Sequence, residues 1–361
     1  HILVGTNLAG LTHPGIDSGG WSLVPPTCGW KFHRARGWRG LGYGHVTASP
    51  RAFDMLDTRP APNHASDRQV LTPTEWHVRA EAHLERVRRW TRPHRQRRSR
   101  HEKHPVYDFL FQYYSYSPGT LESWHPAPSE ALADSPEARE RFRPPEYRVS
   151  AGVIERHPAG LSTQGREQLS EVVEILVATQ RRPANFGCYG VHEWAMVYRG
   201  HDIRHAGIAP LRLPQEEVDR LVESRPVACS HFDAYRYVAP EAKPLNRIPL
   251  EWSVRHEMEQ PGCIHANMDL YKWSFKAMPW IGSDLLWECF RFATRCREID
   301  MRASPYDLSS LGYDPICIET EEGRRDYERE QLTLMNEGKT IRQKLLGTLD
   351  YILAASGELA S

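Results

Sequence analysis

The pattern of apolar and polar positions changes character near Leu71. Before it, residues 1–68 hold ten glycines and scattered tryptophans, with no sustained period of 3.6 or 2. Long stretches of that kind are uncommon inside a compact domain. The segment therefore reads as an irregular or poorly ordered extension that need not be native to the domain; a small irregular subdomain is the equal alternative. From residue 70 to 361 the periodicities describe a single helix-rich α+β domain, with a small sheet near the middle of the chain and a helical C-terminal half.

Helix signals open this region. Thr72-Pro73-Thr74-Glu75 supplies a hydroxyl cap, a proline at the first helical position and a glutamate three residues after the cap. Trp76, Ala80, Leu84 and Val87 then share one face, which predicts a helix ending at about Trp90. Pro105 starts and Pro118 stops an aromatic element, and residues 118–145 read as a surface connection. A short strand is expected over 147–154, an amphipathic helix over 162–182, and a strand-like piece at Pro210–Leu213. A further helix is expected from Pro214 and a strand over 227–238, then helices over 264–278, 283–299, 321–337 and 339–355.

Charge changes the picture locally. The chain has 46 basic and 46 acidic residues and no net charge, yet residues 86–103 carry nine Arg or Lys against the single acid Glu102. Such a block can hold DNA or another polyanion by releasing its counterions, or it can be a solvated charge run. Seven cysteines, odd in number and without paired spacing, point to reduced thiols and a cytoplasmic setting. No apolar run of membrane-spanning length is present, nor is there a leader-like N-terminus, so no membrane partner is expected.

Candidate chemistry gathers in three segments, each pairing a histidine with a carboxylate: His192–Glu193, His231–Asp233 and His265–Asp269. On a helix, His265 and Asp269 face the same way and can hold a metal or form an oriented general base. On a strand, His231 and Asp233 share a face. Adjacent residues diverge, so His192–Glu193 is the weakest pair, and its segment reads as a pocket wall to which His192 contributes. Together the three segments predict one site, with His192, His231, His265 and Asp269 as ligands for a divalent transition metal. Among 18 histidines, coincidental pairs are also expected, and buried polar networks without catalytic duty have the same signature. Arg302, on the Pro305 loop, is a candidate anion clamp; a salt bridge to Asp300 or Asp307 is the plainer expectation. Walker, dinucleotide-binding, serine-elbow, Cys-x-x-Cys and His-Glu-x-x-His motifs are absent.

Five phrases carry a resemblance: HPVYDFLFQYYSYSPGTLESWHP (104–126), NFGCYGVHEWAMVYR (185–199), CSHFDAYRY (229–237), QPGCIHANMDLYKW (260–273) and DMRASPYDL (300–308). They resemble a mostly actinobacterial family commonly labelled 3-methyladenine DNA glycosylase, over about residues 71–340. The resemblance implies excision of alkylated bases from DNA, although no helix-hairpin-helix signature is visible. Under that expectation Asp269 or Asp233 is the catalytic carboxylate, with His265 and His231 beside them. Trp194, Tyr235 and Trp273 would stack the base, Arg302 would assist binding, and residues 86–103 would hold the backbone. Two other readings stand beside it: a metal-dependent small-molecule enzyme using the His/Asp site, and a binding module whose polar pairs are structural.

Overall fold

The computed structural model describes residues 68–357 apart from 206 and 226; the expected N-terminal extension lies outside them. The architecture is helix-rich α+β. Four short strands, β1 (Gln69–Leu71), β2 (Glu130–Ala133), β3 (Tyr147–Ser150) and β4 (Val153–Arg156), form one sheet in the order β1-β2-β4-β3. β1 runs parallel to β2, whereas β2 and β3 each run antiparallel to β4. The single strand expected over 147–154 is thus a hairpin. Its two-residue turn places Ala151 and Gly152 at φ of 49° and 79°, the sign that matches the twist of the flanking strands. Residues 118–145 are more than a surface connection. They supply β2 and bury Trp124, Leu132, Ala138 and Phe142 with Trp76 in a small core of their own.

The first helix, α1 (Pro73–Ser99), begins as its capping signal requires: Glu75 N donates to Thr72 Oγ1 at 3.3 Å and Thr72 N to Glu75 Oε2 at 2.7 Å. It runs well past Trp90, with Pro93 inside it. Tertiary pairing sustains the extra turns. His94 and Arg97 both reach the buried Asp108, at 2.9 and 2.6 Å, and Arg95 reaches Glu122 at 2.6 Å. The basic block therefore lies on a helix, with part of its charge neutralised within the protein. Pro118, expected to stop an element, instead opens the short helix Pro118–Glu122 behind a Ser117 cap.

Helices α2 (Thr163–Arg181), α3 (Val191–Met196), α4 (Gln215–Ser224), α5 (Ile264–Lys276), α6 (Ser283–Arg302) and α7 (Glu321–Gly357) follow. Two strand expectations fail. Residues 227–238 contain a one-turn helix, Phe232–Tyr235, because His231 turns its ring back to accept from Ala234 N at 3.2 Å. That local cap competes with extended backbone. Near Pro210–Leu213 only an isolated bridge from Leu211 to Tyr306 forms. The two closing helices expected either side of Gly338 are one continuous helix, α7. Gly338 is a contact point where α7 crosses α5 and α6: an added Cβ would lie 2.5 Å from Asn267 Oδ1 and 3.1 Å from Phe292 Cζ.

Packing centres on α5. It is buried on almost every side, with Met268, Leu270 and Tyr271 wholly enclosed, the signature of a helix surrounded by others. Helices α6 and α7 cover it. No described helix is long and apolar enough to cross a membrane.

Candidate functional site

A fully buried helix should carry few polar side chains, yet α5 buries His265, Asn267 and Asp269. Buried polar groups persist only when satisfied: Asn267 and Asp269 are hydrogen-bonded, and His265 lies against Asp300 and the rings of His192 and His231. His265 and Asp269 are one turn apart as the spacing predicts, but they join two adjacent clusters instead of one pair.

In the first cluster, α3 presents His192 and Glu193, and α6 presents Arg297 and Asp300 one turn apart. His192 Nε2 lies 3.0 Å from Asp300 Oδ1, and its Nδ1 lies 3.2 Å from Cys188 Sγ. Cys188, His192 and Asp300 thus stand in a line of thiol, imidazole and carboxylate. Arg297 Nη1 donates to Glu193 Oε1 at 2.7 Å and to Asp300 Oδ2 at 2.9 Å, with its guanidinium 3.8 Å from the Phe109 ring centre. His265 Nε2 is 3.8 Å from Asp300 Oδ2.

The second cluster lies beyond His265, whose ring stacks on His231 with centres 5.4 Å apart. His231 Nε2 is 3.2 Å from Asp269 Oδ2, and Tyr114 donates its hydroxyl to Asp269 Oδ1 at 2.6 Å. Lys272 Nζ bridges Asp269 and Asp233, at 2.9 Å to each. His231 and Asp233 are therefore linked through Asp269 and Lys272, and the shared strand face plays no part. Glu259 approaches His231 Nε2 at 3.9 Å. The three histidines of the three segments form one contiguous row, since His192 and His265 also meet, with ring centres 4.7 Å apart.

Burial and charge set the protonation of this row. Burial disfavours charge on His192, but Cys188 and Asp300 outweigh it and hold the ring well above the ordinary histidine range. Burial dominates at His265, pushing it down to about 3, with His192 and His231 adding repulsion against the attraction of Asp300. Its neighbour His231 is raised despite burial, through Asp269. Asp300 and Asp269 are held below the carboxylate range against their burial, by His192 and His265 in one case and by Lys272 and His231 in the other. Glu193 and Glu259 move up because burial prevails over their cationic neighbours. A neutral imidazole between two protonated ones is the arrangement that minimises like-charge repulsion.

Beside the first cluster lies a cavity of about 10 Å³ whose wall includes Cys188, His192, His265, Ser230, Gln260 and Tyr327. A space of that size holds roughly one water. The Tyr327 hydroxyl and Gln331 Oε1, both at this wall, have no hydrogen-bond partner among the described residues. Gly190 lets the tyrosine in: with φ at +75°, its would-be Cβ lies 3.5 Å from the Tyr327 hydroxyl. Both the left-handed backbone and the close ring favour glycine here.

Other expected residues lie elsewhere. Trp194 is wholly buried and donates Nε1–H to the Ala303 carbonyl at 2.8 Å, so it is core and offers no open stacking face. Trp273 is buried beneath Lys272 and Lys276. Tyr235 is half-buried, its hydroxyl 3.4 Å from the Lys243 carbonyl. Arg302 Nε donates to the Asp314 carbonyl at 2.9 Å, in place of a salt bridge to Asp300 or Asp307. Cys188, Arg297, Asp300, Tyr114 and Glu259 are cluster members that sequence reasoning missed. A signal existed for the first: Cys188 precedes His192 by four residues, the same spacing that singled out His265 and Asp269.

Two groups have donor atoms mutually within 4.8 Å and could hold a cation: His192, Glu193, His265 and Asp300, and His231, Glu259 and Asp269. Each already contains or touches a protein cation, Arg297 in the first and Lys272 in the second. No family model matches the chain, and no curated protein and no solved structure matches it significantly.

Proposed function

We propose that the chain is a cysteine-dependent enzyme in which Cys188 attacks an electrophilic carbon of a small substrate. The observation that carries this reading is the alignment of Cys188 Sγ, His192 and Asp300 at 3.2 and 3.0 Å beside a cavity that Cys188 and His192 line. A thiol is activated by an adjacent base that a third group orients. Cys188 and Asp300 raise the proton affinity of His192, which favours imidazolium beside the sulfur. Asp300 orients the ring and offsets its charge, and Arg297 holds Asp300 in turn. Attack forms the Sγ–C bond and the leaving group departs with a proton from His192; water, giving a proton back to His192, then attacks the same carbon, and the Sγ–C bond breaks to restore Cys188. The Tyr327 hydroxyl is an unsatisfied donor at the same cavity, placed to serve developing negative charge. The cavity's size restricts the reacting part of the substrate to a small group unless the wall moves.

Incubation with p-nitrophenyl acetate, followed by intact-mass and peptide analysis, tests the reading. An acetyl adduct on Cys188 that disappears in Cys188→Ser and falls sharply in His192→Gln supports it. An unmodified Cys188, or one whose acylation ignores His192, sinks it.

A second reading, metal-dependent chemistry, is favoured by the convergence of His192, His265, Asp300 and Glu193 donors. Arg297 weakens it, because the guanidinium already neutralises both carboxylates. Elemental analysis separates the two: stoichiometric transition metal lost in His265→Ala favours the second. Base excision from alkylated DNA is the least supported reading. Asp269 is wholly buried with both oxygens engaged, and Arg86, Arg95 and Arg97 are paired with Asp284, Glu122 and Asp108. Release of 3-methyladenine from alkylated duplex, abolished by Asp269→Asn, would restore it.

A further inference from the structure

A second cavity has a lining distinct from that of the cavity beside Cys188. About 350 Å³ in volume, it is bounded by Arg68, Arg148, Glu155 and Arg156 from the sheet side and by Trp280, Tyr351 and Ile352 on the apolar side. That volume is within the range of small-molecule sites.

Its charge balance is unusual. Glu155, nearly buried, is shared by Arg68 and Arg148, the latter at 2.8 Å. Arg156 has no such partner: among the described residues no carboxylate lies within ion-pair distance of it. Its Nη2 donates to the Pro126 carbonyl at 2.7 Å, and its guanidinium sits 4.8 Å from the Tyr147 ring centre. Nε and Nη1 are buried and have no hydrogen-bond partner among the described residues, and the residue is 7% exposed. A guanidinium that is buried, unpaired and half-satisfied is costly. Burial accordingly pulls its proton affinity down, against the longer-range attraction of Glu146 and Glu130. Three arginines against one glutamate leave the wall with two net positive charges, opposite an aromatic and aliphatic face.

We propose that this cavity binds a small organic anion, a phosphomonoester or carboxylate with an apolar body. Arg156, a lining residue without a carboxylate partner among the described residues, supplies the positive charge such a group needs. Arg68 and Arg148, held in place by Glu155, complete the positive rim. The apolar body lies against Trp280 and Ile352. The site is independent of Cys188 and of the reading given to it.

Calorimetric titration of the full chain with phenyl phosphate, benzoate and the neutral benzyl alcohol tests this, with inorganic phosphate as the headgroup control. The expected result is saturable binding of at least one aryl anion and none of benzyl alcohol, with affinity falling about tenfold or more in Arg156→Met. Inorganic phosphate should bind more weakly than phenyl phosphate, because the apolar wall adds to the contact. Should Arg156→Met fail to fold, Arg148→Gln, at a partly exposed position, should lower affinity several-fold while leaving the fold intact. Absence of binding by both aryl anions overturns the proposal. So does equal binding of anion and alcohol, or an affinity that neither substitution changes.

Discussion

Asp300 lies between His192 and Arg297, receiving the ring at 3.0 Å on one oxygen and the guanidinium at 2.9 Å on the other. All three side chains are buried, so the carboxylate is the common counter-charge for two cations that have left water together. Replacing one partner of such a network strands the rest, typically at a cost of about 3–5 kcal/mol. Asp300→Asn is therefore expected to lower unfolding free energy by an amount of that order in chemical denaturation. A loss below about 1 kcal/mol, the range of exposed pairs, would show that Asp300 is not the buried counter-charge.

The same logic applies to Lys272, which joins Asp233 and Asp269 at 2.9 Å each. Lys272→Met removes the cation that two neighbouring buried carboxylates share, leaving Asp269 to His231 and Tyr114. The expected outcome is destabilisation by several kcal/mol at neutral pH, partly recovered when Asp233→Asn is added. A double-mutant cycle reads the coupling; strict additivity would separate Lys272 from Asp233.

Acid stability should bear the signature of His265. Its folded pKa of about 3 lies below the ordinary 6.5, so the unfolded chain takes up a proton first as pH falls. Stability is then lost from about pH 6.5 downward, by ~1.4 kcal/mol per pH unit for this one group. His192 has the opposite sign: its raised pKa gives stability that is complete below 6.5 and fades as pH climbs through the folded value. His125 and His205 are also depressed, to about 3 and about 4, so the wild-type slope is a composite. Comparing wild type with His265→Gln isolates the term: the variant should lose less stability between pH 6.5 and 4, whatever its starting value. Parallel curves would place a neutral His265 in doubt.

Gly338→Ala sets helix propensity against packing. Alanine favours an exposed helix interior by about 1 kcal/mol, but here its Cβ would meet Asn267 Oδ1 at 2.5 Å. Asn267 is itself held by Arg342 at 2.8 Å and cannot simply move aside. Overpacking costs about 1–3 kcal/mol, so a lower melting temperature is expected; a raised one would show that α7 can shift away from α5.

These residues also indicate what a sequence can carry. Local signals were legible: the Thr72 capping box, the α2 and α4 helices, and the one-turn spacing of His265 and Asp269 all depend on near neighbours. What failed depended on distant ones. Gly338 reads as a break because its reason, Asn267, is 71 residues away in the chain. The basic block reads as free charge because Asp108, Glu122 and Asp284 reach it only through folding. His231 reads as part of a strand because alternation is visible and a side chain's cap on its own backbone is not. That His192, His231 and His265 share a neighbourhood was expected from the recurring histidine–carboxylate pairing; Arg297 and Asp300 lie four residues beyond Ala293 and Cys296 on the buried stripe of α6, but their charge reads as the stripe's solvent-facing end.

Activation of Cys188 is read most directly from the rate at which iodoacetamide alkylates each cysteine at pH 6, followed by peptide mass spectrometry. Cys188 and Cys317 are both half-buried, which makes Cys317 the internal reference. If His192 and Asp300 activate Cys188, it should react about tenfold or more faster than Cys317, and His192→Gln should abolish that advantage. A Cys188 that reacts no faster than Cys317, or whose rate is the same with and without the His192 imidazole, would contradict the account.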